Sequence, residues 1–309
     1  MKTKNLIIIS CLSLFLLGCE TTEKIDDFPL RPSQLVVNCY FHENAIFEFQ
    51  VSKSLSVLDN ADLKLVNDAT VKLFKNNELL ETLTEQSEDG WYRAENTRPE
   101  TGEEYSIEVS SPDFEQVLLS TELAPQKVLI SDVSVQVRDS SYYEYETGEG
   151  RKEYWGQAEG SFNITFSDPA SFENFYALSV FFIDTMYYDY ENPPRISVEK
   201  RNVSISSDDA SIENDGDNYI KLLFRDLLFD GQAYQLKIDF EDWQARRGKE
   251  YFIELTSLQK GGYLYKRSIG DYYQARNDPF AEPVQIYSNI ENGYGIFTGY
   301  SKAYYSISF

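Results

Sequence analysis

Asp89-Gly90-Trp91-Tyr92-Arg93-Ala94, followed eight residues on by Gly102-Glu103-Glu104-Tyr105-Ser106-Ile107-Glu108-Val109, decides the fold. Each Gly accepts the positive φ that a tight turn demands, so Asp89-Gly90 and Thr101-Gly102 mark reversals. The residues after each turn alternate apolar with polar, the period of a half-buried strand. The same pattern continues outward on both sides. Residues 34–40 contain Leu35-Val36-Val37-Asn38-Cys39-Tyr40, residues 46–52 alternate Ile46, Phe47, Phe49 and Val51 with polar positions, and residues 69–74 place Val71 and Leu73 on one face. Lys75-Asn76-Asn77-Glu78 turns the chain into 79–83, and 117–123 ends the series before Pro125. Residues 28–125 therefore predict an Ig-like β-sandwich of seven or eight strands.

Beyond residue 125 the alternation resumes in 128–137, 161–166, 175–183, 196–205, 219–224, 232–240 and 249–258, with two final strands expected at 284–289 and 295–309. One segment has another period. From Lys260 to Arg276, Leu264, Ser268, Ile269, Tyr272 and Tyr273 recur at three-to-four spacing and predict a helix, ended by Asn277-Asp278-Pro279. Its buried face is expected to carry Leu264, Ile269 and Tyr272. The fold class is all-β with one C-terminal helix, in two β-sandwich-like domains, 28–125 and 126–309.

The N-terminus reads as an address. Lys2 and Lys4 precede an apolar run over 6–17, too short for a membrane span, and Leu16-Leu17-Gly18-Cys19 closes it. Small or apolar residues before a Cys are the pattern of a bacterial lipoprotein box. Residues 1–18 are then a signal peptide, Cys19 is the lipidation site, and 19–27 is a polar tether. Acyl chains on Cys19 give stable anchoring, at about 0.8 kcal/mol per buried methylene. Acidic residues just after Cys19 resemble surface-export signals, so the expected location is the outer membrane, at the cell surface.

Composition excludes much. The chain has 51 acidic and 28 basic residues and a formal charge of −23, which becomes −25 without Lys2 and Lys4. Phosphate-backbone binding needs Lys/Arg stripes, so nucleic acid is excluded as a partner. A single His, His42, disfavours His-based catalysis and multi-His metal sites. There is no Gly-x-Ser-x-Gly elbow, and no local phrase singles out a carboxylate pair for glycoside hydrolysis. No motif asks for a cofactor. Once Cys11 leaves with the signal and Cys19 is acylated, Cys39 alone remains, in an alternating run that marks it as a small core residue.

Two features are candidates for function. Asp208, Asp209, Asp215 and Asp217 surround Gly216 in a loop of the kind that supplies oxygens to a hard cation, but the full spacing of a calcium loop is missing and a solvated acidic loop is the plainer reading. The other is aromatic. Tyr142, Tyr143, Tyr145, Tyr154 and Trp155 flank a glycine-rich excursion read as a loop or extended hairpin, and Tyr187, Tyr188 and Tyr190 run into Pro193-Pro194. Tyr and Trp bury large area at low entropic cost, so these residues are the candidate interface.

Pro283-Val284-Gln285-Ile286-Tyr287-Ser288-Asn289-Ile290, with Asn292-Gly293-Tyr294-Gly295-Ile296-Phe297-Thr298-Gly299, resembles the closing signature of a lipoprotein family of Bacteroidota that carries a domain of unknown function. Asn67-Asp68-Ala69-Thr70-Val71, Gly90-Trp91-Tyr92 and Gly102-Glu103-Glu104-Tyr105 are similar to that family's first domain and to carboxypeptidase-regulatory-like sandwiches. The resemblance implies an outer-membrane lipoprotein whose gene lies beside that of a TonB-dependent receptor. It brings no catalytic residues. A non-enzymatic accessory or substrate-capture partner of such a transporter is expected. The alternative is a structural or adhesive envelope protein. Read from the residues alone, Asn292-Gly293 suits a type I′ turn, and Asn289 is suited to cap a turn with its side chain.

Overall fold

Alternation becomes strands throughout the computed structural model, which describes residues 32–56, 62–146, 152–170, 172–188, 195–214, 220–245, 248–276, 278 and 280–309. Strands β1 (Leu35–Phe41), β2 (Glu48–Lys53), β3 (Lys64–Leu65), β4 (Thr70–Lys75), β5 (Glu78–Leu83), β6 (Trp91–Arg93), β7 (Glu104–Ser110) and β8 (Leu118–Leu123) come first. They are followed by β9 (Ile130–Glu146), β10 (Lys152–Ser167), β11 (Phe175–Tyr188), β12 (Arg195–Asn202), β13 (Ser204–Ser206), β14 (Ile212–Asn214), β15 (Leu222–Arg225), β16 (Ala233–Ala245) and β17 (Glu250–Leu258). Helix α1 (Lys260–Arg276) and strand β18 (Tyr294–Ser308) follow, and a short 3₁₀ turn, Asp226–Leu228, lies between β15 and β16. The segments 1–18 and 19–27, with Cys19, lie outside the described residues.

The turn chemistry works as its residues require. Asn76 and Asn77 both take positive φ, 49° and 69°, between β4 and β5, and Gly90 and Gly102 do so at 86° and 83°. Asn292 has φ 64° but Gly293 has no positive φ, so the expected type I′ turn does not form there. Gly293 serves close approach instead, since a Cβ on it would lie 2.1 Å from Leu118 Cδ2 and 2.6 Å from the Leu35 carbonyl.

The division of the chain near residue 125 is not a division of the sheet. A spine of ten strands runs β14-β15-β11-β17-β18-β1-β2-β3, with β12 also paired to β11 and β6 to β2. Residues 33–309 form one compact unit. Strand β18 joins the halves: residues 294–299 pair in parallel with β1, and 300–308 pair antiparallel with β17. Two four-stranded sheets cover one face of this spine. The sheet β5-β4-β7-β8 closes a core of Val37, Cys39, Phe49, Val71, Ile107 and Phe297. The sheet β13-β16-β10-β9 closes a second core of Phe162, Phe166, Tyr176, Ile238, Tyr251 and Ile253. Cys39 is buried in the first core, and burial pushes its thiol pKa far up, which keeps it an unreactive packing group.

The helix lies on the opposite face of the spine and differs from expectation in which residues anchor it. Its buried residues are Gly261, Gly262, Tyr263 and Gly270, whereas Leu264 and Ile269 are half-buried and Tyr272 is exposed. The two glycines let the first turn touch the sheet, since a Cβ on Gly262 would lie 2.7 Å from Thr298 Oγ1. Tyr263 is thereby pressed against Phe175, at 5.0 Å between ring centroids, in a small cluster with Ala177, Leu223 and Leu258.

Residues 284–289, expected as a strand, form no strand in the structure. Side chains take the place of the ladder: Tyr287 N donates to Ser268 Oγ at 2.9 Å, and Asn289 bonds the backbone of Phe297 twice.

Candidate functional site

The first aromatic excursion takes the extended-hairpin form of its two readings, with β9 and β10 paired along it, and the second lies on a strand pair as well. In β9 and β10, Tyr142 pairs with Gly156, Tyr143 with Trp155, Glu144 with Tyr154 and Tyr145 with Glu153. In β11 and β12, Tyr187 pairs with Ile196 and Tyr188 with Arg195. Strand β11 therefore runs on past the expected end at Ile183, because β12 supplies a ladder for it. Tyr190 lies outside the described residues.

Both pairs point the same way. Strand β10 descends from Lys152 to Ser167, a short connection crosses, and β11 climbs from Phe175 to Tyr188. The distal ends of both arms thus stand at one end of the second core, beside the passage from β16 to β17. Alternation then sorts the side chains. Tyr142 is half-buried and packs on the second core, while Tyr143 next to it is 69% exposed. On one face of the other arm, Ile183, Ile196 and Val198 are exposed, the last two at 61% and 65%.

Trp243 is an exposed aromatic that sequence patterning does not single out: it is 66% exposed between buried Asp242 and half-buried Gln244 at the same end. Hydrophobicity alone sends a Trp inward. The strand period does the reverse, because Leu236, Ile238, Phe240 and Asp242 all face the core. Asp242 tolerates that position because it is fully partnered. It accepts from Tyr251 Oη at 2.7 Å, Lys249 Nζ at 2.9 Å and Gln244 N at 2.9 Å. The Lys249 ammonium sits 3.0 Å from the centroid of Phe182, so it bridges the two sheets, and Tyr251 stacks on Phe309 at 4.7 Å. Burial, then the Asp242 charge, lifts the Tyr251 phenol far above its usual pKa, so it stays a proton donor to Asp242. Arg201 in β12 reaches across to Gln244 Oε1 at 3.1 Å and pairs with Asp184 at 3.1 Å, which ties the β11–β12 arm to the facing sheet.

Of the acidic candidates, Asp209 has structural partners. Asp208 is exposed. Burial pushes the Asp209 carboxyl up, but hydrogen bonds from Tyr234 Oη at 2.6 Å and Ser211 N at 2.9 Å outweigh it and hold its pKa below the usual range. Asp215 and Asp217 lie outside the described residues. A different group, Asp168, Asp226 and Asp230, brings three carboxylates within 4.8 Å of one another. Its two buried members are engaged: Asp168 accepts from Tyr176 Oη and from Gly231 N at 2.9 Å, and Asp226 accepts from Asn174 N at 2.8 Å. They fasten the connection from β10 to β11. His42 is packed against Tyr300 at 4.9 Å, and burial, then the nearby Lys302 charge, lowers its pKa.

A family model described as a domain of unknown function, DUF4249, matches residues 20–306. The chain belongs to the DUF4249 family. No curated protein matches it. The match takes in both cores, both arms and the closing segment of this DUF4249 chain. In the structure that segment serves packing. Gly295 has φ 118°, and a Cβ on it would lie 1.9 Å from the Val37 carbonyl, so only glycine admits the parallel pairing of β18 with β1 there.

Proposed function

We propose that this protein is a lipid-anchored envelope protein that docks a protein partner through its two distal arms and performs no catalysis of its own. The observation that carries the reading is the set of exposed Tyr143, Trp243, Ile183, Ile196 and Val198, held on paired strands at one end of the second core. Rigid, exposed aromatic and aliphatic side chains among polar neighbours have the composition of an interface centre. The buried Asp242–Lys249 pair and the Arg201–Gln244 bond support it, since they hold the arms in place before any partner arrives. Anchoring at Cys19 is supported by Leu16-Leu17-Gly18-Cys19. The family resemblance favours an outer-membrane location and a TonB-dependent transporter as the partner, and the chain's −23 charge suits basic loops on that partner.

The test is recovery of the tagged full chain from detergent-solubilised outer membrane, with the copurifying proteins identified. A transporter should come with the wild type, and less of it with Tyr143→Ala, Trp243→Ala or Val198→Asp, each first shown to be folded. A wild-type sample that brings no transporter, or three variants that bring it undiminished, would overturn the reading.

A further inference from the structure

The outer face of the sheet β13-β16-β10-β9, turned away from the second core, carries a row of three acids. Asp139 in β9 stands directly opposite Glu159 in β10, and Glu159 stands directly opposite Glu241 in β16. All three are exposed. Like charges facing each other across a ladder repel, because their Cβ atoms are only about 4.5–5.5 Å apart.

The cations nearby do not neutralise the row. Arg138 feels the charges of Glu159 and Glu241, but its guanidinium bonds Asp239. Lys237, on the same side of β16, is four residues from Glu241, about 13 Å along the strand. Arg201 is committed to Asp184 and Gln244.

Two β-bulges bracket the row. Arg138 is an extra residue in β9 between Val137 and Asp139, and in β16 Trp243 and Gln244 together face Gln157 of β10. Bulges re-aim side chains, and these two leave a notch of about 140 Å³ lined by Asp139, Gln157, Glu159, Glu241 and Trp243. The acids thus share a concave site with an aromatic side chain that is 66% exposed.

We propose that this notch takes an arginine side chain presented by the docking partner. The guanidinium lies on the Trp243 indole and donates to the Glu159 and Glu241 carboxylates, with Asp139 closing the acidic rim. Arginine fits better than lysine, because a planar fork serves two carboxylates while stacking on a ring. Its arrival also relieves the repulsion along the row. The inference rests on the docking reading above and names the chemistry that the partner must bring.

Calorimetric titration of the full chain in non-ionic detergent with acetylated triarginine amide and trilysine amide tests this. Triarginine should bind about threefold or more tightly than trilysine, and Trp243→Ala should remove that preference. A Glu159→Gln, Glu241→Gln double variant should weaken triarginine binding about tenfold, with its unfolding midpoint equal to or above the wild type's. Glu88→Gln with Glu115→Gln, exposed acids of the other half, removes the same charge and should leave binding unchanged. Trilysine binding as tightly as triarginine, or equal losses in the two double variants, would overturn the proposal by showing attraction to the overall negative field alone. The docking reading fails separately. Triarginine bound as expected, with no transporter recovered with the wild type, would strike that reading and keep the notch. A transporter recovered undiminished with the Glu159→Gln, Glu241→Gln variant would strike the notch and keep the reading.

Discussion

Asn289 grips Phe297 by both backbone groups: its Nδ2 donates to the Phe297 carbonyl at 2.7 Å, and its Oδ1 accepts from the Phe297 amide at 2.9 Å. One side chain thereby replaces a strand neighbour for a residue whose ring is wholly buried in the first core. Asn289→Ala leaves both backbone groups without partners and should cost about 2–4 kcal/mol. Asn289→Asp keeps the acceptor and loses the donor, so it should fall between. Denaturant midpoints for the three proteins decide this, and an unshifted alanine variant would show that water satisfies Phe297.

The helix should be held by its first turn. Tyr263 is fully buried and its hydroxyl donates to Glu213 at 2.8 Å, so Tyr263→Ala should cost about 3–5 kcal/mol. Leu264 is only half-buried, and Leu264→Ala should cost about 1–2 kcal/mol. Equal costs, read from thermal or denaturant unfolding, would contradict this anchoring.

Glu122 gives stability a pH dependence. Burial pushes its carboxyl up to about 7 from the ordinary 4.5. The neutral form is favoured in the folded state, so its contribution is whole below about pH 4.5 and is lost as pH rises through about 7. Glu122→Gln should therefore unfold at nearly the wild-type midpoint at pH 4.5 and at a higher one at pH 8. The same difference between variant and wild type at both pH values would refute the assignment.

At the distal end, Asp242→Ala strands the buried Lys249 ammonium and should cost about 3–5 kcal/mol. Pairing Asp242→Leu with Lys249→Met removes both charges and should restore most of that loss. Tyr143→Ala, on the exposed side of its arm, should change stability by less than about 0.5 kcal/mol. If Tyr143→Ala proved as costly as Asp242→Ala, Tyr143 would be a structural residue and not a free contact.

Cys19→Ala should abolish labelled-palmitate incorporation and leave a folded protein in the soluble fraction. Retention of label or of membrane association would place the anchor elsewhere.

Much of this fold is legible because strand alternation is a local signal. Val37, Cys39, Val71, Tyr105, Ile107 and Val109 all face inward as their period demands. Helix α1 is legible from Lys260 to Arg276 because its spacing changes sharply at both ends. Its orientation is not, since Gly261 and Gly262 look like weak helix formers until Thr298 is placed beneath them. Pairings between distant strands leave no local mark either, so the shared spine and the union of β1 with β18 are hidden in the sequence. At the candidate site the outward Tyr143 is legible as an aromatic. Trp243 is not, because its exposure depends on Asp242 facing inward, and that depends on Lys249 and Tyr251 arriving from another strand.

The partnership of Val36 with Tyr294 sets an order of events during synthesis. The first strand has its β2 neighbour early, but its other edge stays open until residues 294–299 have emerged, more than 250 residues later. Closing so long a loop is slow, and a strand edge left open meanwhile is a site for wrong pairing with other chains. Loss of residues 294–308 would do more than shorten a terminus. It would remove Phe297 from the first core and the partner of β17 from the second, so a nascent chain cut short before Tyr294 should accumulate as an aggregation-prone or proteolysed species.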